Sequence, residues 1–395
     1  MRTGVGVIGA GPAGLLLARS LYLAGIGCVV LENRSRGHVE CRRRAGMLEQ
    51  GTVDALRACG AAGRLDAEGM EHRGIELRFE RAAHRVDFPS LTDGRTVMIY
   101  AQTEIVKDLV GLQLADGPPL LFGAAALSIE GALSDRPVVR FRHAGRDQTL
   151  ECDYVVGCDG FHGIARAAVP AAVRRTYERD YPYSWLGILA DVPPSSEELV
   201  YARGASGFAL QSMRSPSVSR LYLQVPNGTL APDWPDERIW DELDARLAVD
   251  STDWRLKRGP VTDKSVTPMR CRVTEPMRYG RLLLAGDAAH IVPPTGAKGL
   301  NLAVADVHLL ARAFAALYHT GSTEPLDAYS ELALRRVWQA ARFSDDLTTM
   351  LHMRPGASPF HDRMQLARLH RIADSREAAA EFAANYTGLP LCSTG

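Results

Sequence analysis

A short apolar strand that runs through three glycines into a helix, and a second apolar strand that ends in a carboxylate, leave the start of this chain little choice of structure. The residues are Val7 to Leu15, reading VIGAGPAGL, and then Glu32. Val5, Val7 and Ile8 supply a buried strand. Gly9 and Gly11 permit a tight turn against a pyrophosphate, and Gly14 lets the helix from Ala13 to Leu23 lie close to the sheet. The helix N-terminus presents free N–H groups and a positive dipole end, an anion site that needs no side chain. The second strand, Cys28 to Leu31, delivers Glu32 where it can accept hydrogen bonds from both hydroxyls of an unphosphorylated ribose. Adenosine of FAD or NAD fits, whereas a 2′-phosphate there would be repelled. The rival reading is a secretory signal, since Met1-Arg2 precedes an apolar run. Arg19 interrupts that run, and its glycines suit a cradle better.

Composition narrows the class further. A chain of 395 residues suggests two or three domains of about 150 residues each. Lysine plus arginine and aspartate plus glutamate number 46 each, so no charge excess draws the chain to nucleic acid or a membrane surface. No segment approaches the ~18 uninterrupted apolar residues of a membrane span. The cysteines at 28, 41, 59, 152, 158, 271 and 392 are odd in number and contain no CxxC pair. That pattern points to reduced thiols in a cytoplasmic protein, and to neither a disulfide frame nor a metal site. Cys28 and Cys158 fall inside apolar strand patterns and read as buried structural residues.

The pattern along the chain predicts an α/β fold. A Rossmann-like dinucleotide domain is interrupted by an antiparallel β-sheet domain and followed by a C-terminal helical region. Strands alternate with helices over 1–181, closing on the strand Tyr154 to Gly157 and the turn Cys158-Asp159-Gly160. Short alternating strands with loops occupy 182–269, the region that holds Trp185, Trp234, Trp240 and Trp254. The α/β character returns over 270–326 with the strand from Arg281 to Ala285. A helix follows, with Leu302, Ala305, Leu309, Ala313 and Leu317 spaced by three and four. The remainder, 327–395, is helical by the same test.

Two further segments carry chemistry. Asp287 to Asn301 reads DAAHIVPPTGAKGLN: Pro293-Pro294 fixes an extended bend, Thr295-Gly296 turns it, and Lys298 to Asn301 opens a helix. That helix N-terminus is placed to stabilise negative charge on a reduced flavin ring, with Asp287 bound to sugar-chain hydroxyls. In the hairpin between Phe208 and Val225, alternation puts Ser212 and Arg214 on one face, with Arg220 and Tyr222 on the same face of the next strand. A turn from Ser215 to Ser219 would set Arg214 opposite Arg220 and Ser212 opposite Tyr222. Two facing arginines repel unless the face binds an anion, such as a carboxylate gripped by the Arg214 fork.

The segments GAGPAGLLLA, RAGMLEQGTVD, Gln102-Thr103-Glu104, CDYVVGCDGFHGI, WLGILAD, GFALQSMRS, AGDAAHIVPPTGAKGLN and NYTGLP together resemble the single-component FAD-dependent aromatic hydroxylases, of the para-hydroxybenzoate type, over nearly the whole chain. The resemblance implies an NAD(P)H- and O2-dependent monooxygenase that converts 4-hydroxybenzoate to 3,4-dihydroxybenzoate through a flavin hydroperoxide. It implies that Glu32, Arg42, Arg44, Gln102, Asp159, Asp287, Leu300 and Asn301 bind FAD, with Arg220 near the flavin ring. Ser212, Arg214 and Tyr222 would hold the substrate carboxylate. Tyr201 would hydrogen-bond the substrate phenol, the Pro294 carbonyl would face it, and Tyr386 and His72 would lead its proton towards solvent. His162 and Arg270 match positions that assist the nicotinamide coenzyme, and a homodimer is the family's habit.

The chain departs from the family pattern at Ala13, where a serine is usual, and over Asn33 to Glu40, a segment tied to coenzyme choice. Arg34 and Arg36 favour NADPH there, Glu40 opposes a 2′-phosphate, and NADH is expected to be accepted as well. The alternatives are the same chemistry on another hydroxylated benzoate, or a non-catalytic sensor of flavin and aromatic acids. A two-dinucleotide disulfide reductase is excluded by the lack of a second GxGxxG and of a redox cysteine pair.

Overall fold

The computed structural model describes residues 1–42, 46–250 and 253–391, so Arg44 and Cys392 lie outside the described residues. Its first sheet is built around five parallel strands. Arg2–Ile8 lies between Arg146–Gly157 and Cys28–Glu32, with Leu282–Leu284 and Leu120–Phe122 beyond them. Strands covered on both faces are near-continuous apolar runs, and Cys28–Glu32 is buried at every position. The helix Pro12–Leu23 packs on this sheet together with Gly299–Thr320, which in turn packs against Glu324–Leu351. Gly299–Thr320 is long and apolar enough to cross a bilayer, yet 56% of its apolar window is buried inside the protein, as a core helix requires.

The second sheet has eight strands in the order His290–Ile291, Val261–Glu275, Arg175–Ala190, Val218–Pro226, Gly207–Ser215, Leu199–Gly204, Gly74–Phe79 and Ala82–Asp87. Its alternation separates two cores. Leu186, Ile188, Leu221 and Leu223 face Trp240, Leu243 and Leu247, all three carried by the helix Asp236–Leu247. Trp185, Tyr201, Phe208 and Leu210 face Leu347, Leu351, Phe382 and Tyr386 of the C-terminal helices.

This sheet departs from the boundaries drawn on sequence. Residues 74–87 belong to it, although they fall within 1–181, and its long strands begin at Arg175 and end at Glu275 rather than at 182 and 269. Both differences have one cause. A strand that leaves the nucleotide domain to complete a distant sheet has the same local pattern as one that stays, because pairing partner is a long-range property.

Candidate functional site

The cradle is drawn by backbone. Gly9 has φ +101°, and a Cβ there would sit 2.4 Å from the Cys158 carbonyl oxygen; at Gly14 a Cβ would sit 1.9 Å from the Gly9 oxygen. Strand, turn and helix therefore touch without side chains between them. At Gly11, by contrast, nothing lies within 4 Å of a Cβ, so the turn faces open space where a pyrophosphate would approach. Glu32 is buried and accepts from the Ala10 N–H at 2.7 Å and the Arg34 N–H at 2.8 Å. Across the turn Asp159 Oδ2 accepts from the Ala165 N–H at 2.9 Å, while its buried Oδ1 has no hydrogen-bond partner. Burial pushes this carboxyl's pKa up, against the pull of backbone N–H groups. An unmatched buried oxygen beside an open glycine turn is what a cradle for a hydroxylated dinucleotide such as FAD presents.

Asp287 is exposed at the end of Leu282–Leu284, in a turn set from beneath. The buried Asp306 Oδ2 accepts from the Gly286 N–H at 2.8 Å and meets His290 Nε2 at 2.7 Å. Leu300 and Asn301 occupy the first turn of Gly299–Thr320, where N–H groups lack intrahelical acceptors. The Asn301 side chain is not available to a ligand. Its oxygen accepts from the Glu49 N–H and the Thr52 hydroxyl, and its nitrogen donates to the Met47 and Ala297 carbonyls. Of this predicted ligand, the backbone is what a cofactor can reach.

The substrate face forms with a different register. Ser212 pairs with Arg220 and Leu210 with Tyr222, and the pairing shifts at Arg214 before Ser215 meets Val218. The expected Arg214–Arg220 and Ser212–Tyr222 pairs are thus each displaced by two positions. Pro216-Ser217 makes a tighter turn than a five-residue loop, and the irregularity at Arg214 absorbs the odd residue. Because the displacement is even, the predicted side chains still share a face. Arg220 Nε donates to the Tyr222 hydroxyl. Arg214 Nη2 donates to Thr103 Oγ1 at 3.3 Å, and that hydroxyl donates to the Arg42 carbonyl at 3.0 Å. Thr103 thus joins the strip carrying Arg42 and Gln102 to the arginine of the substrate face.

At the other end of this face the Tyr201 and Tyr386 hydroxyls lie 2.8 Å apart, both wholly buried, and Tyr201 also donates to the Thr295 carbonyl at 3.3 Å. Burial raises both phenol pKa values. The Pro294 carbonyl accepts from the Ala297 N–H at 2.9 Å. His72 is buried, its pKa pushed down to about 4 by burial against the opposing pull of Glu198, and neither ring nitrogen has a hydrogen-bond partner. No direct bond joins it to the tyrosine pair. Phe161 gathers the predicted coenzyme residues. The His162 ring meets it edge-on at 4.9 Å, and the Arg270, Arg272 and Arg166 guanidinium carbons lie 5.7, 5.0 and 4.5 Å from its centroid.

Sequence reasoning missed Lys298 as more than a helix opener. It is buried, 2.5 Å from Glu49 Oε1, and donates to the Asn385 and Tyr386 carbonyls. Its cation ties the helix carrying Tyr386 to the strand Met47–Glu49, and the lysine in its apolar surroundings was the available signal.

The FAD binding domain family model matches residues 2–344. The chain is 46% identical over 390 residues to the p-hydroxybenzoate hydroxylase of Acinetobacter baylyi, an alignment covering 99% of this chain and 96% of that one. Its fold matches p-nitrophenol 4-monooxygenase from Pseudomonas putida with a TM-score of 0.82 at 20% identity, covering 98% of each chain. It also matches a ternary complex of aklavinone-11 hydroxylase with FAD and aklavinone, with a TM-score of 0.73 at 21% identity, over 89% of this chain and 69% of that one.

Proposed function

The chain belongs to the FAD-dependent monooxygenase family, and we propose that within it this enzyme hydroxylates 4-hydroxybenzoate at the 3-position, using NAD(P)H and O2. The observation that carries this reading is the buried Tyr201–Tyr386 pair at 2.8 Å, on the same sheet face as Arg214, Ser212 and Tyr222. A site with an anion-binding end and a phenolic relay at the other suits a benzoate with its hydroxyl para. FAD, when bound, passes electrons from NAD(P)H to O2 and supplies the electrophilic oxygen. The Gly9 to Gly14 turn, Glu32, Asp159, Asp287, Arg42, Gln102 and the Leu300 and Asn301 N–H groups are the parts suited to hold it.

The residues of this chain do the rest. Arg214 grips the carboxylate as a fork, with the Ser212 and Tyr222 hydroxyls beside it, and so fixes which ring carbon meets the oxygen. A phenol attacks weakly and a phenolate strongly, so removing the phenol proton is the assistance the reaction needs. Raised pKa values keep both tyrosines protonated, so neither is a standing base. Tyr201 accepts the phenol proton as it passes its own to Tyr386, and a water between Tyr386 and the unpartnered, neutral His72 ring would continue the path. His162 and Arg270, beside Phe161, are proposed to assist the coenzyme. NADPH is favoured with NADH accepted, and a cytoplasmic homodimer is proposed on the resemblance.

Tyr201→Phe tests this assignment. It keeps the ring and removes the hydroxyl, so substrate binding and flavin reduction should persist while hydroxylation fails. NAD(P)H and O2 should be consumed with H2O2 as the main product and little 3,4-dihydroxybenzoate. Tyr386→Phe should do the same more mildly, one step further along. Product formation by Tyr201→Phe at the parent rate and stoichiometry would assign activation of the phenol to another group.

A further inference from the structure

The helix Glu324–Leu351 carries three polar residues at four-residue spacing, Ser344, Thr348 and His352, with His352 as its C-cap; all three are at most 1% exposed. Polar residues recurring on the buried stripe of a helix are unusual unless each has work there. Thr348 and Thr295 share a hydroxyl hydrogen bond of 2.8 Å, and a Cβ on Gly296 would sit 2.6 Å from Ser344 Oγ. The helix thus seats the turn whose Thr295 carbonyl accepts from Tyr201. One turn later, His352 Nδ1 lies 2.8 Å from the Thr348 carbonyl and His352 Nε2 lies 2.6 Å from Trp185 Nε1. An indole N–H can only donate and a carbonyl can only accept, so the partners fix a single neutral tautomer, with Nδ1 protonated and Nε2 accepting.

Trp185 leads into the opposite end of the site. It stacks on Phe208 at 5.2 Å and tilts against Tyr222 at 4.7 Å, and Phe208 stacks on the His352 ring at 4.2 Å. Two glutamines lock the helix end in place. Gln224 accepts from the Phe208 and Met353 N–H groups and donates to the Met353 carbonyl, while Gln365 donates to the His352 and Thr349 carbonyls.

We propose that His352 is a positioning residue that fixes Trp185, and through it Tyr222, so that the Thr348–His352 turn sets the distance between the carboxylate end and the phenol end of the site. This inference rests on the reading of the substrate as a para-hydroxy acid spanning those two ends. Ligands that hold one end only are insensitive to that distance, whereas 4-hydroxybenzoate is not.

The test compares the holoenzyme with His352→Leu, His352→Gln and Trp185→Phe, measuring KM, kcat and the H2O2 fraction with 4-hydroxybenzoate, FAD content, and the tryptophan fluorescence change on adding substrate. Leucine leaves the indole N–H unmatched, so KM for 4-hydroxybenzoate should rise about tenfold, H2O2 should rise with it, and KM for the coenzyme should stay at the parent value. Glutamine offers a carbonyl acceptor and should recover most of the loss. Trp185→Phe removes the same bond from its other side and should shift KM in the same direction, which keeps the inference testable if the leucine variant does not fold. Parental KM and coupling in a folded, FAD-replete His352→Leu or Trp185→Phe enzyme would overturn the inference, as would thermal destabilisation with no change in KM. A parent enzyme that forms no 3,4-dihydroxybenzoate would instead overturn the substrate reading, a result visible in the control alone.

Discussion

The dinucleotide cradle and the substrate face lie in one chain and are specified in opposite ways. The cradle is local: its turn, helix and acid fall within Val7 to Glu32, and its tightest contacts are backbone to backbone at Gly9 and Gly14. The substrate face is assembled from afar, with Tyr201 and Tyr386 separated by 185 positions and with Thr295, Thr348 and His352 seating it from other elements. Recognition of a phosphate by peptide N–H groups forces glycines at fixed spacing. Recognition of a small aromatic acid by side chains forces only composition on a face, and leaves the supporting residues free to come from anywhere.

The comparison breaks most sharply at two glycines three positions apart, Gly11 and Gly14. Gly14→Ala places a Cβ 1.9 Å from the Gly9 carbonyl oxygen, a backbone atom that cannot yield, so the variant should purify without FAD or fail to fold. Gly11→Ala meets no protein atom within 4 Å, so its fold should survive and its FAD affinity alone should fall, because the new methyl group enters the space of the ligand. Circular dichroism and flavin absorbance separate the two outcomes. A Gly14→Ala protein that is yellow and as stable as the parent would refute the close backbone approach.

Arg214→Ala tests the other region. Removing one member of a buried, hydrogen-bonded charge pair should weaken 4-hydroxybenzoate binding by about 2–5 kcal/mol, with FAD content unchanged. Lysine should rescue poorly, since it lacks the planar fork. Binding within a few-fold of the parent would move the carboxylate site elsewhere.

This contrast also explains what could be read beforehand. Gly9, Gly11, Gly14 and Glu32 were legible because their roles are local and geometric. The shared face of Ser212, Arg214, Arg220 and Tyr222 was legible from alternation, but their register was not, since it depends on how tightly Pro216-Ser217 turns and on the irregularity at Arg214. The strands within 74–87 were misassigned because nothing in their own residues names their partner. Thr348 and His352 carry no motif, and Thr103 and Lys298 stand inside matched segments that assigned them no contact; their meaning appears only once Arg42, Tyr386, Thr295 and Trp185 are beside them. The Asn301 side chain shows the converse, a motif residue whose polar atoms are committed to the protein.

Acid and alkali should act on the two regions separately. On the substrate side, burial lowers the pKa of His72 to about 4 and of His352 to about 3, below the ~6.5 of an unfolded histidine. Between those values the unfolded chain binds the extra protons, so stability should fall as pH drops below ~6.5, by up to about 1.4 kcal/mol per pH unit for each ring. Beneath the cradle burial opposes the His290 charge, but Asp306 outweighs it and the pKa is raised. That contribution is full below the unfolded pKa and is lost as pH rises through the folded value. Urea denaturation across pH 4 to 9 should show His72→Leu flattening the acid limb and His290→Asn flattening the alkaline one. An acid limb unchanged in both His72→Leu and His352→Gln would contradict the buried neutral rings.

The smallest effect belongs at the edge of the cradle, on the side-chain surface proposed to meet the coenzyme. Arg36 and Glu40 form an ion pair of 2.7 Å one turn apart in the helix Arg36–Cys41; if the coenzyme docks beside this helix, as proposed, Glu40 holds back a cation that would otherwise meet its 2′-phosphate. Solvent-exposed pairs contribute about 0.2–1 kcal/mol. Glu40→Gln should therefore raise the NADPH to NADH ratio of kcat/KM only about two- to fivefold, and added salt should shrink the change because the pair is open to solvent. Arg36→Gln should lower the same ratio. A parent enzyme that strongly prefers NADH, and loses that preference on neutralising Glu40 alone, would mean that Glu40 rather than the arginines governs this surface, and that the coenzyme is selected by repulsion.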